Sequence, residues 1–243
     1  MKKIIFFIYQ LFIFAPIFIL ATIITAIVVM VGCIVGDRKF WSCYPPRYWS
    51  KLACRLALCK INVIRKGKLE PNQSYIFVAN HQGAYDIFLI YGYLGQDIKW
   101  VQKKELRKIP FVGKASEIAG HVFVDQSSRK SMIETIKKAE EQLSEGASIA
   151  IFPEGARTYT GKMDRFKRGA FIIAKEMKLP VVPVTVNGPF DVMKIHTYLI
   201  NPGKLELIIH DPIPTKDLTD DDIPELMNKC HEIVHSGLWE KYK

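Results

Sequence analysis

A histidine and an aspartate stand five residues apart at the end of an apolar run. His81 and Asp86 belong to residues 80–86, directly after residues 75–79, whose composition predicts a buried strand. An imidazole titrates close to neutral pH, so it can accept a proton from a substrate hydroxyl. A carboxylate bonded to one ring nitrogen orients the imidazole and leaves the other nitrogen free. The pair therefore predicts a general base and its orienting partner.

The spacing places His81 outside the helix that follows it. Five residues of a regular helix rotate by about 500°, so His81 and Asp86 would face different directions there. His81 is therefore predicted to lie in a turn. No Ser or Cys occurs between Tyr75 and Lys114, and no G-x-S-x-G segment exists, so the predicted chemistry is direct attack by a substrate hydroxyl on an activated acyl group. For the pair alone, an Asn80 helix cap with a structural histidine remains the alternative.

A second polar turn follows another apolar run, residues 147–151. Pro153 and Gly155 favour a turn that lets the backbone approach a ligand. Arg157 offers a planar fork for phosphate oxygens and Thr158 a hydroxyl, while Glu154 is predicted to orient Arg157 or a substrate hydroxyl. Four basic residues follow, most of them interpreted as a solvated rim: Lys162, Arg165, Lys167 and Arg168.

Apolar runs alternate with helical patterns from Ile61 to Asp211, which predicts an α/β fold with a mixed sheet flanked by helices. Because ligands bind at the carboxyl ends of strands in such sheets, the two turns are expected to converge. The predicted strands are 61–65, 75–79, 98–102, 122–124, 148–152, 181–187 and 205–210. The predicted helices are 85–94, part of 108–119, 128–143, 169–177 and 223–241.

The N-terminal segment predicts a membrane-embedded helical region. Residues 4–36 carry no charge and are too long for a signal peptide. One straight helix would run about 50 Å, beyond the ~30 Å hydrocarbon core, so a break at Pro16 is expected, giving helices 4–15 and 17–35. Two geometries remain open: a single tilted span with an interfacial lead-in, or a helical hairpin.

Tyr44, Pro45 and Pro46 indicate a linker. It would separate an N-terminal membrane anchor, residues 1–44, from an acyl-transfer domain, residues 45–243. Residues 47–60 have helical spacing with basic residues between, which fits either a helix in the membrane interface or a docking helix of the domain.

The charge is concentrated near the apolar segment. The chain has 243 residues and a net charge of +10, and residues 1–70 hold eleven Lys or Arg against two acids. This indicates an anionic membrane surface, with attachment at the cytoplasmic face of the inner or plasma membrane. No nucleic-acid-binding motif accompanies the charge, so nucleic acid is not an expected partner. Five cysteines without a CxxC pair indicate unpaired thiols.

Together these segments resemble the glycerolipid acyltransferase family, which includes 1-acyl-sn-glycerol-3-phosphate (lysophosphatidate) acyltransferases. The family's His-x4-Asp hallmark is similar to His81 and Asp86, and its Phe-Pro-Glu-Gly-x-Arg block to residues 152–157. Residues 103–113 and 182–188 look like two further blocks of the family.

The resemblance implies acyl transfer from an acyl-CoA or acyl carrier protein thioester to the free hydroxyl of a lysophospholipid, most directly 1-acyl-sn-glycerol-3-phosphate. His81 would be the base and Asp86 its orienter, with Arg157 and Lys103 on the acceptor phosphate. The implied substrate-binding residues are Lys103, Glu154, Gly155, Arg157 and Thr158. No metal or other cofactor is expected; the expected partners are the bilayer, the lysophospholipid and the thioester donor.

One departure bears on the acceptor. The family often has Gly-x-x-Phe-x-Asp-Arg, whereas residues 120–125 are followed here by Gln126. An acyltransferase that uses a different lysolipid acceptor is therefore an alternative.

Two other classes of function remain open. His231, Glu232 and His235 match H-E-x-x-H, the helix motif of zinc peptidases, although Leu238 and Lys241 occupy the positions where an extended motif has Gly and His. A non-catalytic lipid-binding module is the second class.

Overall fold

The computed structural model of the protein describes residues 2–71, 73–124, 137, 140–142 and 146–243. Its strands are β1 (Lys60–Arg65), β2 (Ile76–Ala79), β3 (Ile98–Lys103), β4 (Val122–Val124), β5 (Ser148–Ile151), β6 (Val181–Asn187) and β7 (Lys204–Ile209). They form a seven-stranded sheet in the order β1-β7-β6-β2-β5-β3-β4. Neighbouring strands run parallel except β6 and β7, which are antiparallel. The predicted mixed sheet is confirmed.

The helices are α1 (Lys2–Tyr9), α2 (Ala15–Val35), α3 (Arg38–Leu56), α4 (Tyr85–Tyr93), α5 (Val112–Ile118), α6 (Gly169–Met177), α7 (Pro189–Val192) and α8 (Ile223–Ser236). The helix predicted over 223–241 ends earlier, since Gly237 terminates α8 and a 3-10 turn, Glu240–Tyr242, follows. The helix predicted within 108–119 begins only after Pro110, because Phe111 has a positive φ of 61°. The helix predicted over 128–143 lies almost wholly outside the described residues.

The N-terminal apolar segment does not break at Pro16. A π-helical turn, Gln10–Phe14, joins α1 to α2, so that residues Ile4–Val35 form one continuous helix. The wider π turn lets the chain accommodate a proline, which lacks the amide hydrogen that an α-helix requires. The hairpin with its turn at Pro16 is therefore wrong. This helix is long and apolar enough to cross a membrane by length and composition.

The predicted linker is also helical, because Pro45 and Pro46 lie inside α3. Pro46 cannot donate to the carbonyl of Ser42, four residues before it. The hydroxyl of Tyr91, on α4, donates to that carbonyl instead, at 3.0 Å. The boundary predicted at residues 44 and 45 thus falls within a helix whose neighbours are α2 and α4, which favours a docking helix over a helix lying free in the interface.

Strand β2 is buried on both faces of the sheet. Phe77 and Ala79 face the cluster that contains α4, while Ile76 and Val78 face the cluster that contains α6 and α8. Burial on both faces explains why β2 is apolar throughout instead of alternating. The five cysteines are free thiols, as expected.

Candidate active site

The two polar turns meet at one edge of the sheet. Strands β2 and β5 are parallel neighbours, with Val78 opposite Ile151, so both turns begin side by side. Two hydrogen bonds join them: the amide of Thr158 donates to the carbonyl of His81 at 3.0 Å, and the amide of His81 donates to Glu154 Oε1 at 2.6 Å. The predicted convergence is confirmed.

Side chains on either side of His81 anchor its turn to β6. Asn80 exchanges two hydrogen bonds with the backbone of Val186, at 2.7 and 2.9 Å. Gln82 Oε1 accepts from the amide of Gly188 at 3.0 Å. Asn80 therefore ties the turn to the sheet and does not cap α4, so the predicted helix cap is wrong. These buried bonds fix the backbone that carries His81.

His81 and Asp86 are in direct contact, as predicted. His81 Nδ1 lies 2.6 Å from Asp86 Oδ2, which also accepts from the amide of Gly83 at 2.9 Å. Asp86 is fully buried, and burial raises the pKa of its carboxyl while these hydrogen bonds oppose that rise. In the tautomer whose Nδ1 donates to this carboxylate, Nε2 is the nitrogen left free to accept, on a side chain that remains 15% exposed.

The imidazole plane is held by aromatic stacking. The ring of His81 lies 3.9 Å from that of Phe152 and within 8° of parallel. Phe152 stacks in turn on Trp100 of β3, with ring centroids 5.3 Å apart. The ring that carries the free nitrogen is therefore fixed by a carboxylate at one atom and an aromatic face along its plane.

Glu154 has a different position from the one predicted. Its two oxygens accept from the amides of His81, at 2.6 Å, and of Asp164, at 2.8 Å. It does not hydrogen-bond to Arg157. Burial raises the pKa of Glu154 to about 7. Its carboxylate thus connects the His81 turn to the basic loop that follows the second turn.

The remaining predicted substrate ligands surround this connection. Gly155 takes a φ of +79°, which an L side chain rarely adopts. Thr158 Oγ1 accepts from the amides of Thr160 and Gly161, which shapes the turn. Arg157 is half-buried, and its guanidinium has no acceptor within the part of the chain that the structure describes. Lys103 ends β3 and is exposed.

Lys167, one of the four residues of the predicted basic rim, is exposed and lies over the turn. A methyl group added to Gly155 would come within 2.6 Å of Lys167 Nζ. The backbone is fixed there as well, since the amide of Lys167 donates to the carbonyl of Pro153 at 2.9 Å. The sequence predicted a group of basic residues here, and the fold places Lys167 of that group next to Gly155.

An apolar cavity of about 280 Å³ adjoins the site. Helices α2, α3, α4 and α5 and strand β3 line it, together with Ala84 in the turn that follows His81. Its position beside the turn of His81 gives a long apolar substituent a place next to the candidate site.

The H-E-x-x-H segment lies on α8. The rings of His231 and His235 are 6.3 Å apart, and His231 packs against Phe166. Among the described residues no group of three or more His, Cys, Asp or Glu side chains is arranged to hold a metal ion. A catalytic zinc requires three protein ligands, so the geometry gives the zinc hydrolase no support.

The sequence is similar to that of known acyltransferases. A family model described as Acyltransferase matches residues 60–187. The chain is 34% identical over 169 residues to the 1-acyl-sn-glycerol-3-phosphate acyltransferase of Saccharomyces cerevisiae, covering 68% of this chain and 56% of the relative. It is 31% identical to the human 1-acyl-sn-glycerol-3-phosphate acyltransferase alpha, covering 69% and 59%. The chain thus spans about half the length of these curated relatives.

A solved structure is similar over nearly the whole chain. It is the 1-acyl-sn-glycerophosphate acyltransferase PlsC from Thermotoga maritima, with a TM-score of 0.80 and 27% sequence identity. The match covers 98% of this chain and 97% of that one. The mixed sheet and its helices are therefore the fold of that protein.

Proposed function

Because this chain belongs to the acyltransferase family, we propose that it moves a fatty acyl chain from an acyl thioester to the free hydroxyl of a lysophospholipid, most directly 1-acyl-sn-glycerol-3-phosphate. The observation that carries the proposal is the 2.6 Å contact between His81 Nδ1 and buried Asp86 at the sheet edge. In the described part of the chain no hydroxyl or thiol is hydrogen-bonded to this imidazole. The nucleophile is therefore the acceptor's own hydroxyl.

The reaction then proceeds in two proton transfers. His81 Nε2 removes the hydroxyl proton as the oxygen attacks the thioester carbonyl, forming a tetrahedral intermediate. Asp86 stabilises the imidazolium that results, since a buried carboxylate close to a cation offsets the cost of its own burial. Collapse breaks the carbon–sulfur bond, and the imidazolium gives its proton to the departing thiolate. The products are an ester and a free thiol, and His81 is neutral again.

Three cations support a phosphorylated acceptor. Arg157 has no acceptor of its own among the described residues, and Lys167 lies over the Gly155 turn beside it. Lys103 ends the strand next to β5. Guanidinium and ammonium groups form short, charge-assisted hydrogen bonds with phosphate oxygens. Residue 126, where this chain has Gln, lies outside the described residues. The proposal of a phosphorylated head group is therefore argued from Arg157, Lys167 and Lys103 alone.

The acyl chains favour a membrane-bound enzyme. The helix over Ile4–Val35 leaves large apolar side chains exposed along most of its length, which is stable next to lipid and costly next to water. The basic stretch after it, residues 37–70, supports attachment at the cytoplasmic face. The bilayer then supplies the lysophospholipid, while acyl-CoA or acyl carrier protein arrives from the aqueous side. No resident cofactor takes part.

The test is turnover of the full-length protein in detergent or vesicles, with a set of lysolipids and both thioester donors. His81→Ala is expected to lower turnover by at least about 1,000-fold, because it removes the base. The matched control is His235→Ala, a histidine on α8 that should leave turnover unchanged. Undiminished turnover in His81→Ala would sink the mechanism. Lipid binding without turnover in the wild type would support a non-catalytic binding module.

A further inference from the structure

Two buried hydrogen-bond donors in the apolar cavity have no acceptor. They are Trp100 Nε1 and Gln102 Nε2, both on β3, and neither has a partner among the residues that the structure describes. Trp100 is 5% exposed, and both side chains line the cavity. A buried donor without an acceptor is unfavourable, so its persistence in an otherwise apolar wall points to a ligand atom.

Neighbouring polar groups of the same cavity are already satisfied. Trp49 Nε1 donates to Thr22 Oγ1 at 2.9 Å, and the Tyr91 hydroxyl donates to the carbonyl of Ser42. His121 Nδ1 accepts from the amide of Trp100 at 3.1 Å. Trp100 and Gln102 therefore differ from Trp49 and Tyr91, which line the same space and whose donors have partners within the fold.

The two donors are placed close to the reacting atoms. Residues two apart on a strand point to the same face, with Cα atoms about 7 Å apart. The Trp100 ring stacks on Phe152, which stacks on His81, with centroid spacings of 5.3 and 3.9 Å. Trp100 thus lies one aromatic ring beyond His81, and Gln102 follows it on the same face of β3, along the wall of the cavity.

We propose that Trp100 and Gln102 bind the ester carbonyl oxygen by which the acceptor lysophospholipid carries its first acyl chain. This inference rests on the proposed function. In such an acceptor the ester carbonyl oxygen is five covalent bonds from the free hydroxyl, so it reaches past the base when the hydroxyl meets His81. The thioester carbonyl does not fit this position, because its carbon must lie in contact with the oxygen that His81 activates. The first acyl chain then continues into the apolar cavity.

The test compares two acceptors of equal chain length, 1-acyl-lysophosphatidate and its 1-O-alkyl ether, which lacks the carbonyl. The wild type is expected to use the acyl acceptor about tenfold better in kcat/KM, the effect of one or two hydrogen bonds. Trp100→Phe keeps an aromatic ring but removes the donor, and Gln102→Met keeps the length of the side chain. Each is expected to lower the preference to below about threefold, mainly by loss of activity on the acyl acceptor.

Trp49→Phe is the matched control. Trp49 also lines the cavity, but its indole N–H already donates a hydrogen bond to Thr22. It is expected to change the use of both acceptors by the same factor. The inference is overturned if the wild type uses both acceptors equally, or if Trp100→Phe and Gln102→Met lower both together, as a contact with the thioester carbonyl would require. A wild type that acylates neither acceptor contradicts the proposed function instead. Thermal unfolding of each variant identifies one that has lost its fold.

Discussion

The geometry of His81 depends on a residue that does not touch its side chain. Glu154 binds the amide of His81 with one oxygen and the amide of Asp164 with the other. Only the ionised carboxylate offers two equivalent acceptors, and burial raises its pKa to about 7. The position of His81 is thereby tied to a carboxyl group that gains its charge near neutral pH. Glu154 is a positioning residue in this arrangement.

Glu154→Gln is expected to lower turnover about 10- to 100-fold with little change in the acceptor KM. An amide supplies one acceptor oxygen, so one of the two backbone amides loses its partner and the His81 turn shifts. The wild type should lose turnover as the pH falls through about 7, where Glu154 takes up a proton. Steady-state kinetics against pH measures both effects, with Glu232→Gln on α8 as the matched control. A rise in KM at constant kcat would mean that Glu154 binds substrate instead.

At the residue scale the sequence predicted what depends on local spacing. His81 and Asp86 are five residues apart and cannot share a helical face. The spacing therefore placed His81 in a turn, from which it can contact Asp86. The partners of Glu154 and the position of Lys167 could not be predicted, because both depend on how a loop after β5 folds back over the turn. Trp100 and Gln102 likewise gave no signal, since an unpartnered donor is defined only by its three-dimensional surroundings.

At the level of elements, the prolines are the positions where the prediction from local sequence differs from the structure. Seven strands were predicted within one residue, because runs of buried apolar residues determine them. Pro16 and Pro45–Pro46 were read as a break and a linker, yet both sites are helical. A π turn accommodates the first, and the Tyr91 hydroxyl replaces a missing backbone donor at the second. Neither compensation is visible in the sequence around the prolines.

Tyr91→Phe is therefore expected to lower the free energy of unfolding by about 1–2 kcal/mol, because it leaves the carbonyl of buried Ser42 without the donor that Pro46 cannot supply. Chemical denaturation in detergent measures this change. Tyr93→Phe, on the same helix, is the control and should cost less than about 0.5 kcal/mol. An equal loss in the two variants would contradict the role assigned to the Tyr91 hydroxyl in stabilising α3.

At the scale of the whole molecule, the face of the sheet opposite the cavity is held by a buried histidine. His210, which follows β7, donates through Nε2 to Thr185 Oγ1 of β6 at 2.9 Å, and that hydroxyl donates to the carbonyl of Val234 on α8. Nε2 carries a proton in both the neutral and the charged imidazole, so the burial of the ring, and not these bonds, disfavours the charged form. Burial, and then the charge of Lys66, lower the pKa of His210 to about 4, while Asp211 opposes the shift.

Acid is therefore expected to weaken the fold through His210. Between pH 6.5 and about 4 the unfolded chain binds a proton at this position and the folded chain does not. The free energy of unfolding therefore falls as the pH falls, by at most about 1.4 kcal/mol for each pH unit. Glu154 acts in the opposite direction, because its raised pKa means that the folded state binds more protons between pH 4.5 and 7. Wild type and His210→Gln both contain Glu154, so the contribution of Glu154 cancels in the difference between their free energies of unfolding.

Gln retains a donor for Thr185 but does not titrate. The free energy of unfolding of His210→Gln, measured by denaturation from pH 7 to 5, should therefore fall less steeply than that of the wild type. Parallel curves would show that His210 binds a proton as readily in the folded state as in the unfolded chain, and that its burial does not exclude the charged form.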